Sequence, residues 1–83
     1  MTVLYFAWVK EKVGISEEVV SLPEDVETVA ALMDWLSTQS DKHKDAFENR
    51  KSIKAAVDQT HVDHSARIKD AKEVAFFPPV TGG

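Results

Sequence analysis

Apolar and polar positions along the chain fall into blocks of different period. Val3 to Val9 is a short apolar run rich in β-branched and aromatic residues, followed by Lys10-Glu11-Lys12 and then Val13-Gly14. Such a run, closed by charge and a turn signal, predicts a central strand. Glu18 to Leu22 predicts a second strand, with Val20 and Leu22 on one face and Pro23 as its stop. The two are expected to form a hairpin joined through the Gly14 region. Thr28 is a good helix N-cap, and Val29, Leu32, Met33 and Leu36 follow at i, i+3, i+4 and i+7. That spacing is one apolar helical face and predicts a helix to about Gln39. Ser40 to Ser52 is polar apart from Ala46 and Phe47, which reads as a surface connection holding at most one short helical turn.

Two strands, Ile53 to Val57 and Thr60 to Val62, flank Asp58-Gln59 as a two-residue hairpin turn. A last strand covers Glu73 to Phe77 and is stopped by Pro78-Pro79. The order predicts an α+β domain, a mixed sheet of four to five strands with one main helix across one face. The simplest arrangement of that kind is the ubiquitin-like β-grasp. Its first and last strands lie side by side and parallel, which requires a long crossover and explains the helix between them. The domain is expected over residues 1–78, with residues 79–83 as an extended, flexible tail ending in Gly-Gly.

Composition narrows the functional classes. With 83 residues the chain is one domain, burying roughly 63% of its unfolded surface. Its 43% hydrophobic and 29% charged residues exclude a disordered chain. The lack of cysteine removes disulfides, a thiolate zinc site and a thiol nucleophile, and fits a cytoplasmic setting. A net charge of -4 argues against nucleic acid, whose phosphates need a basic face. The opening apolar run lacks a basic n-region and is far shorter than a membrane span, so neither signal peptide nor membrane partner is expected.

The least ordinary segment is Phe76-Phe77-Pro78-Pro79-Val80-Thr81-Gly82-Gly83. Two prolines favour an extended path, and two glycines present no side chain to a narrow channel. Pro78 to Gly83 spans roughly 20 Å at about 3.3 Å per residue, and what it delivers is the terminal carboxylate. Strand alternation puts Leu4, Phe6 and Trp8 opposite the helix, with Phe77 beside them. This apolar patch at the root of the tail reads as a docking surface. His61-Val62-Asp63-His64 holds a possible ligand set, but histidines three apart at a strand end need not converge, and no metal is expected. Lys42-His43-Lys44 reads as a solvated basic cluster.

The tail together with Ile68 to Phe77, Leu22-Pro23, Thr28-Val29, Ala56-Val57-Asp58-Gln59-Thr60 and Val3-Leu4-Tyr5-Phe6-Ala7 resembles the small subunits of molybdopterin synthase. That resemblance covers nearly the whole chain, and its most specific part is Pro-Pro-Val-Thr-Gly-Gly. It implies a non-catalytic sulfur carrier. An E1-like adenylating enzyme would use ATP to activate the carboxylate of Gly83, and sulfur would displace the adenylate to leave a thiocarboxylate. Pro79, Val80, Thr81 and Gly82 would thread into the large subunit, where sulfur passes to cyclic pyranopterin monophosphate. Leu4, Phe6, Trp8, His61, Phe77 and Pro78 would hold the partner, and the chain itself would bind no cofactor. Two positions depart from the family pattern. Ala71 stands where many relatives carry glycine, at a cost of about 1 kcal/mol if the backbone there is left-handed. His61 stands where relatives tend to be apolar. A thiamine-pathway sulfur carrier, a ubiquitin-like protein modifier and a plain β-grasp binding module are the alternatives that tail and fold leave open.

Overall fold

The computed structural model describes residues 1–79. Val80, Thr81, Gly82 and Gly83, expected as the reactive tail, lie outside the described residues. Strand β1 (Thr2–Tyr5) leads into helix α1 (Ala7–Val13) and strand β2 (Glu17–Val19). Helices α2 (Val29–Ser37) and α3 (Asp41–Ala46) and a 3-10 turn (Arg50–Ser52) precede β3 (Lys54–Val57), β4 (Thr60–Val62) and β5 (Glu73–Phe77). The sheet order is β2-β1-β5-β3-β4. The central pair β1–β5 is parallel, and the other pairs are antiparallel. This is the β-grasp arrangement that the order of elements predicts.

The expected strand from Val3 to Val9 is half strand and half helix. Pairing with β5 reaches Phe6, whose N–H donates to the Phe76 carbonyl at 3.0 Å. Ala7 then takes a φ of 52°, and the chain coils. Val9 and Val13, four apart, become the buried face of α1. Gly14 closes that helix at φ 92°, donating its N–H to the Lys10 carbonyl at 2.8 Å, the left-handed cap that glycine supplies without strain. The Gly14 turn signal therefore ends a helix, and β1 and β2 are antiparallel neighbours joined through that helix rather than by a tight hairpin. Strand β2 also lies one residue earlier than expected and is shorter. Its last rung is the bond from the Val20 N–H to the Met1 carbonyl, 2.9 Å.

Helix α2 forms as its spacing predicts. The Thr28 hydroxyl accepts the Ala31 N–H at 3.1 Å, and Val29, Leu32, Met33 and Leu36 are all buried. It ends two residues before Gln39, where the backbone tightens to i−3 bonds from the Thr38 N–H to the Trp35 carbonyl and from the Gln39 N–H to the Leu36 carbonyl, both 3.0 Å. The region after Ser40 is more ordered than a surface connection. Ser40 caps α3 by accepting the His43 N–H, and Ala46 and Phe47 enter the core. Phe47 meets Phe76 edge-on at 5.0 Å between centroids, and Tyr5 completes the aromatic cluster. Among the described residues, α1 and α3 join the main helix α2 over the inner face.

The β3–β4 turn is Asp58-Gln59, with φ of 47° and 72°, the left-handed pair a two-residue hairpin demands. Asp58 also accepts the Lys72 and Glu73 N–H groups, tying the turn to the start of β5. Ala71 is not in the left-handed region, and its N–H bonds the Ile68 carbonyl at 3.0 Å. Alanine therefore sits there without the strain that a glycine position would impose.

Candidate functional site: the open sheet face and the root of the tail

Because β1 and β5 run parallel, their C-terminal ends lie together. Tyr5 pairs with Phe76, so the chain leaves β5 beside Phe6. Alternation then sorts the side chains. Val3, Tyr5, Val74 and Phe76 are buried under the helices. Leu4, Phe6, Ala75 and Phe77 take the opposite face, which no helix covers among the described residues. The register adds Ala56 beside Ala75, His61 opposite Ala56, and Lys54 opposite Phe77.

This face brings together most of the expected docking residues. Phe6 is 48% exposed, Leu4, Phe77 and Pro78 are half-buried, and Pro79 is exposed. The His61 ring lies against Phe77, with centroids 5.1 Å apart and planes at 47°. Trp8 does not belong to the face. It lies on α1, half-buried against the core, with the Lys12 ammonium 5.8 Å from its ring. Once Ala7 turns the chain into a helix, two-residue alternation no longer places Trp8. Sequence reasoning missed Ile15, 42% exposed, which the bond from the Tyr5 N–H to the Ser16 carbonyl brings to the same end of the sheet. No local pattern marks it, since its place depends on the β1–β2 register.

His43 corrects the solvated reading of Lys42-His43-Lys44, for it is buried. Its Nε2 donates to Glu18 Oε2 at 2.7 Å, and its Nδ1 is 2.7 Å from the Ser40 hydroxyl. The Tyr5 hydroxyl donates to the same Glu18 oxygen, also at 2.7 Å. Burial, then the hydrogen bond and the charge of Glu18, push the Tyr5 hydroxyl well above its ordinary range. For Glu18 burial acts upward, but the bonds from His43 and Tyr5 and the attraction of His43 together hold the carboxyl below its ordinary value. This network lies on the helix side and braces the sheet from behind. His61 and His64 do not converge: His61 faces Phe77, while His64 Nε2 donates to the Ile53 carbonyl at 2.8 Å. Among the described residues no cluster of three or more His, Asp or Glu side chains is arranged to hold a metal, and no helix is long and apolar enough to cross a membrane.

An apolar face where the chain leaves β5 is suited to being gripped by a partner protein. Comparison with known proteins finds relatives over nearly the whole chain. The chain is 46% identical over 81 residues to the molybdopterin synthase sulfur carrier subunit of Escherichia coli strain K12, covering 98% of this chain and 96% of that one. It is 36% identical to the subunit of the same name from Haemophilus influenzae, covering 100% and 99%. Its fold matches the crystal structure of SAMP1 from Haloferax volcanii with a TM-score of 0.73 and 26% identity, over 100% of this chain and 98% of that one. Matched by the family model from residue 3 to residue 83, the chain belongs to the ThiS family.

Proposed function

We propose that the chain is the sulfur-carrier subunit of a molybdopterin synthase, working in the cytoplasm and carrying its sulfur on Gly83. The observation that carries this reading is the nearly full-length kinship with subunits so named. The chemistry of the terminus supports it. A free carboxylate with a pKa near 3.5 is a poor electrophile at neutral pH, so it must first become an acyl-adenylate. The chain has no cysteine and no Gly-rich phosphate loop. ATP activation is assigned to an E1-like partner, as in the family it resembles, and the lack of cysteine fits a sulfur carried on the C-terminus. Sulfide-level sulfur attacks the acyl carbon, the acyl–oxygen bond to AMP breaks, AMP leaves and a thiocarboxylate remains. The large subunit grips Leu4, Phe6, His61, Phe77 and Pro78, receives Pro79 to Gly83, and catalyses sulfur transfer to cyclic pyranopterin monophosphate.

Intact-mass measurement of the chain purified from its native host tests the reading. A population in which one terminal oxygen has become sulfur, and which regains the oxygen on incubation with large subunit and pterin substrate, is expected. Capture of a thiazole synthase instead of a synthase large subunit would assign the chain to the thiamine pathway. Attachment to lysines of other proteins would assign it to the modifiers.

A further inference from the structure

The apolar part of the open face contains a titratable ring. Of the three histidines, His43 is bonded to Glu18 and Ser40, and His64 to the Ile53 carbonyl. His61 is exposed, stands opposite Ala56, and lays its ring against Phe77 with centroids 5.1 Å apart. Among the described residues it is the histidine without a side-chain hydrogen bond. The surrounding charges offer no partner to an imidazolium. Lys54, on the neighbouring strand, stands opposite Phe77 on the same face, and Lys51 and His64 line the depression beyond it. Asp63 is engaged by the Ser65 hydroxyl and N–H, and the histidine whose charge acts on it is His64. Asp58 holds the Lys72 and Glu73 N–H groups. Glu73 is at the far end of β5 from Phe77, about 13 Å of strand away, and Glu17 is four strand spacings across the sheet, roughly 19 Å. No carboxylate lies within ion-pair reach of His61 among the described residues.

We propose that His61 makes association with the synthase large subunit pH-dependent: the neutral ring is buried with Phe77 in the complex, and protonation of the ring releases the partner. The inference rests on the sulfur-carrier reading. Histidine is the side chain that changes charge between pH 5 and 8. A neutral imidazole against Phe77, Ala56 and Ala75 enters a dry contact as a largely apolar ring. An imidazolium there must give up its water with no carboxylate of this chain to replace it, and with the Lys54 ammonium on the same face opposing it. In the free domain the exposed ring takes its proton without disturbing the core. The cost of the charge therefore falls on the complex alone.

The test is calorimetric titration of the intact chain with purified large subunit at pH 5.5, 6.5 and 7.5 and constant ionic strength. The unaltered chain is compared with His61→Leu. Titration of the large subunit's own groups enters both curves equally, so the difference between them reads His61. Relative to His61→Leu, the unaltered chain is expected to lose about tenfold in affinity between pH 7.5 and pH 5.5, while at pH 7.5 the two bind alike. His61→Lys, charged throughout, should bind weakly at every pH. Should His61→Leu fail to fold, His61→Gln is expected to show the same loss of pH dependence. Parallel pH profiles for the unaltered chain and the neutral variant overturn the inference. So does a relative gain in affinity at acid pH, which a carboxylate of the partner facing His61 would produce. Either result leaves the sulfur-carrier reading standing. Failure of the unaltered chain to form any complex at pH 7.5 overturns that reading, and the role of His61 with it.

Discussion

His43 Nε2 lies 2.7 Å from Glu18 Oε2, joining α3 to the edge strand β2 across 25 residues of sequence. A carboxylate only accepts, so Nε2 donates to it, while Nδ1 lies 2.7 Å from the Ser40 hydroxyl. With Tyr5 donating to the same carboxylate, one residue of β2 holds β1 and α3 together behind the open face of the sheet. Such a closed network is stable while every member is satisfied and expensive to break singly.

The acid limb of stability should therefore depend on Glu18. Its carboxyl titrates lower in the folded chain than in the unfolded one. The stabilisation is thus fully present above the ordinary glutamate range and is lost as pH falls through the folded value. Glu18→Gln is expected to destabilise by about 1–3 kcal/mol near neutrality and to show a weaker further loss on acidification. Thermal unfolding of both proteins as a function of pH measures this, and identical acid limbs would refute it.

Gln59 stands at φ 72° in a turn that prefers glycine at this position. Gln59→Gly should raise stability by about 0.5–1 kcal/mol, read as an upward shift in the denaturant midpoint. Asp58→Ala should act in the opposite direction, because it leaves the Lys72 and Glu73 N–H groups without their acceptor.

Phe6→Asp and Phe77→Asp should weaken binding to the large subunit far more than they lower the melting temperature. A carboxylate on the open face stays hydrated in the free domain and must be desolvated in the complex. A loss of about 2 kcal/mol, roughly thirtyfold in affinity, is expected at either position if it is a hot spot. Trp8→Ala should do the reverse, lowering the melting temperature with little direct effect on affinity, since its ring packs on the core. Calorimetric titration beside thermal unfolding separates the two patterns.

Removing Gly83, or extending the chain beyond it, should abolish sulfur transfer with the melting temperature unchanged, because a glycine has no side chain to contribute to a core. Restoration of molybdopterin synthesis in a strain lacking the small subunit is the assay. Full activity from a chain without Gly83 would remove the terminal carboxylate from the mechanism.

Elements whose signals are local were legible in the residues themselves. Thr28 and the 3.6-residue spacing after it specify α2, Pro78-Pro79 terminate β5, and Asp58-Gln59 supply a turn between two apolar runs. Leu4, Phe6 and Phe77 could be assigned to one face because alternation holds within a strand whatever surrounds it. Trp8, His43 and Ile15 could not be placed that way. Val3 to Val9 is too short for its period to separate strand from helix, and the change at Ala7 depends on Phe6 bonding Phe76, seventy residues away. The burial of His43 depends on Glu18 standing across from it, a partner no neighbouring residue announces. Local propensity acts through adjacent backbone and side chains, whereas buried polar partners and the ends of strands are decided by what the folded sheet brings within hydrogen-bond distance.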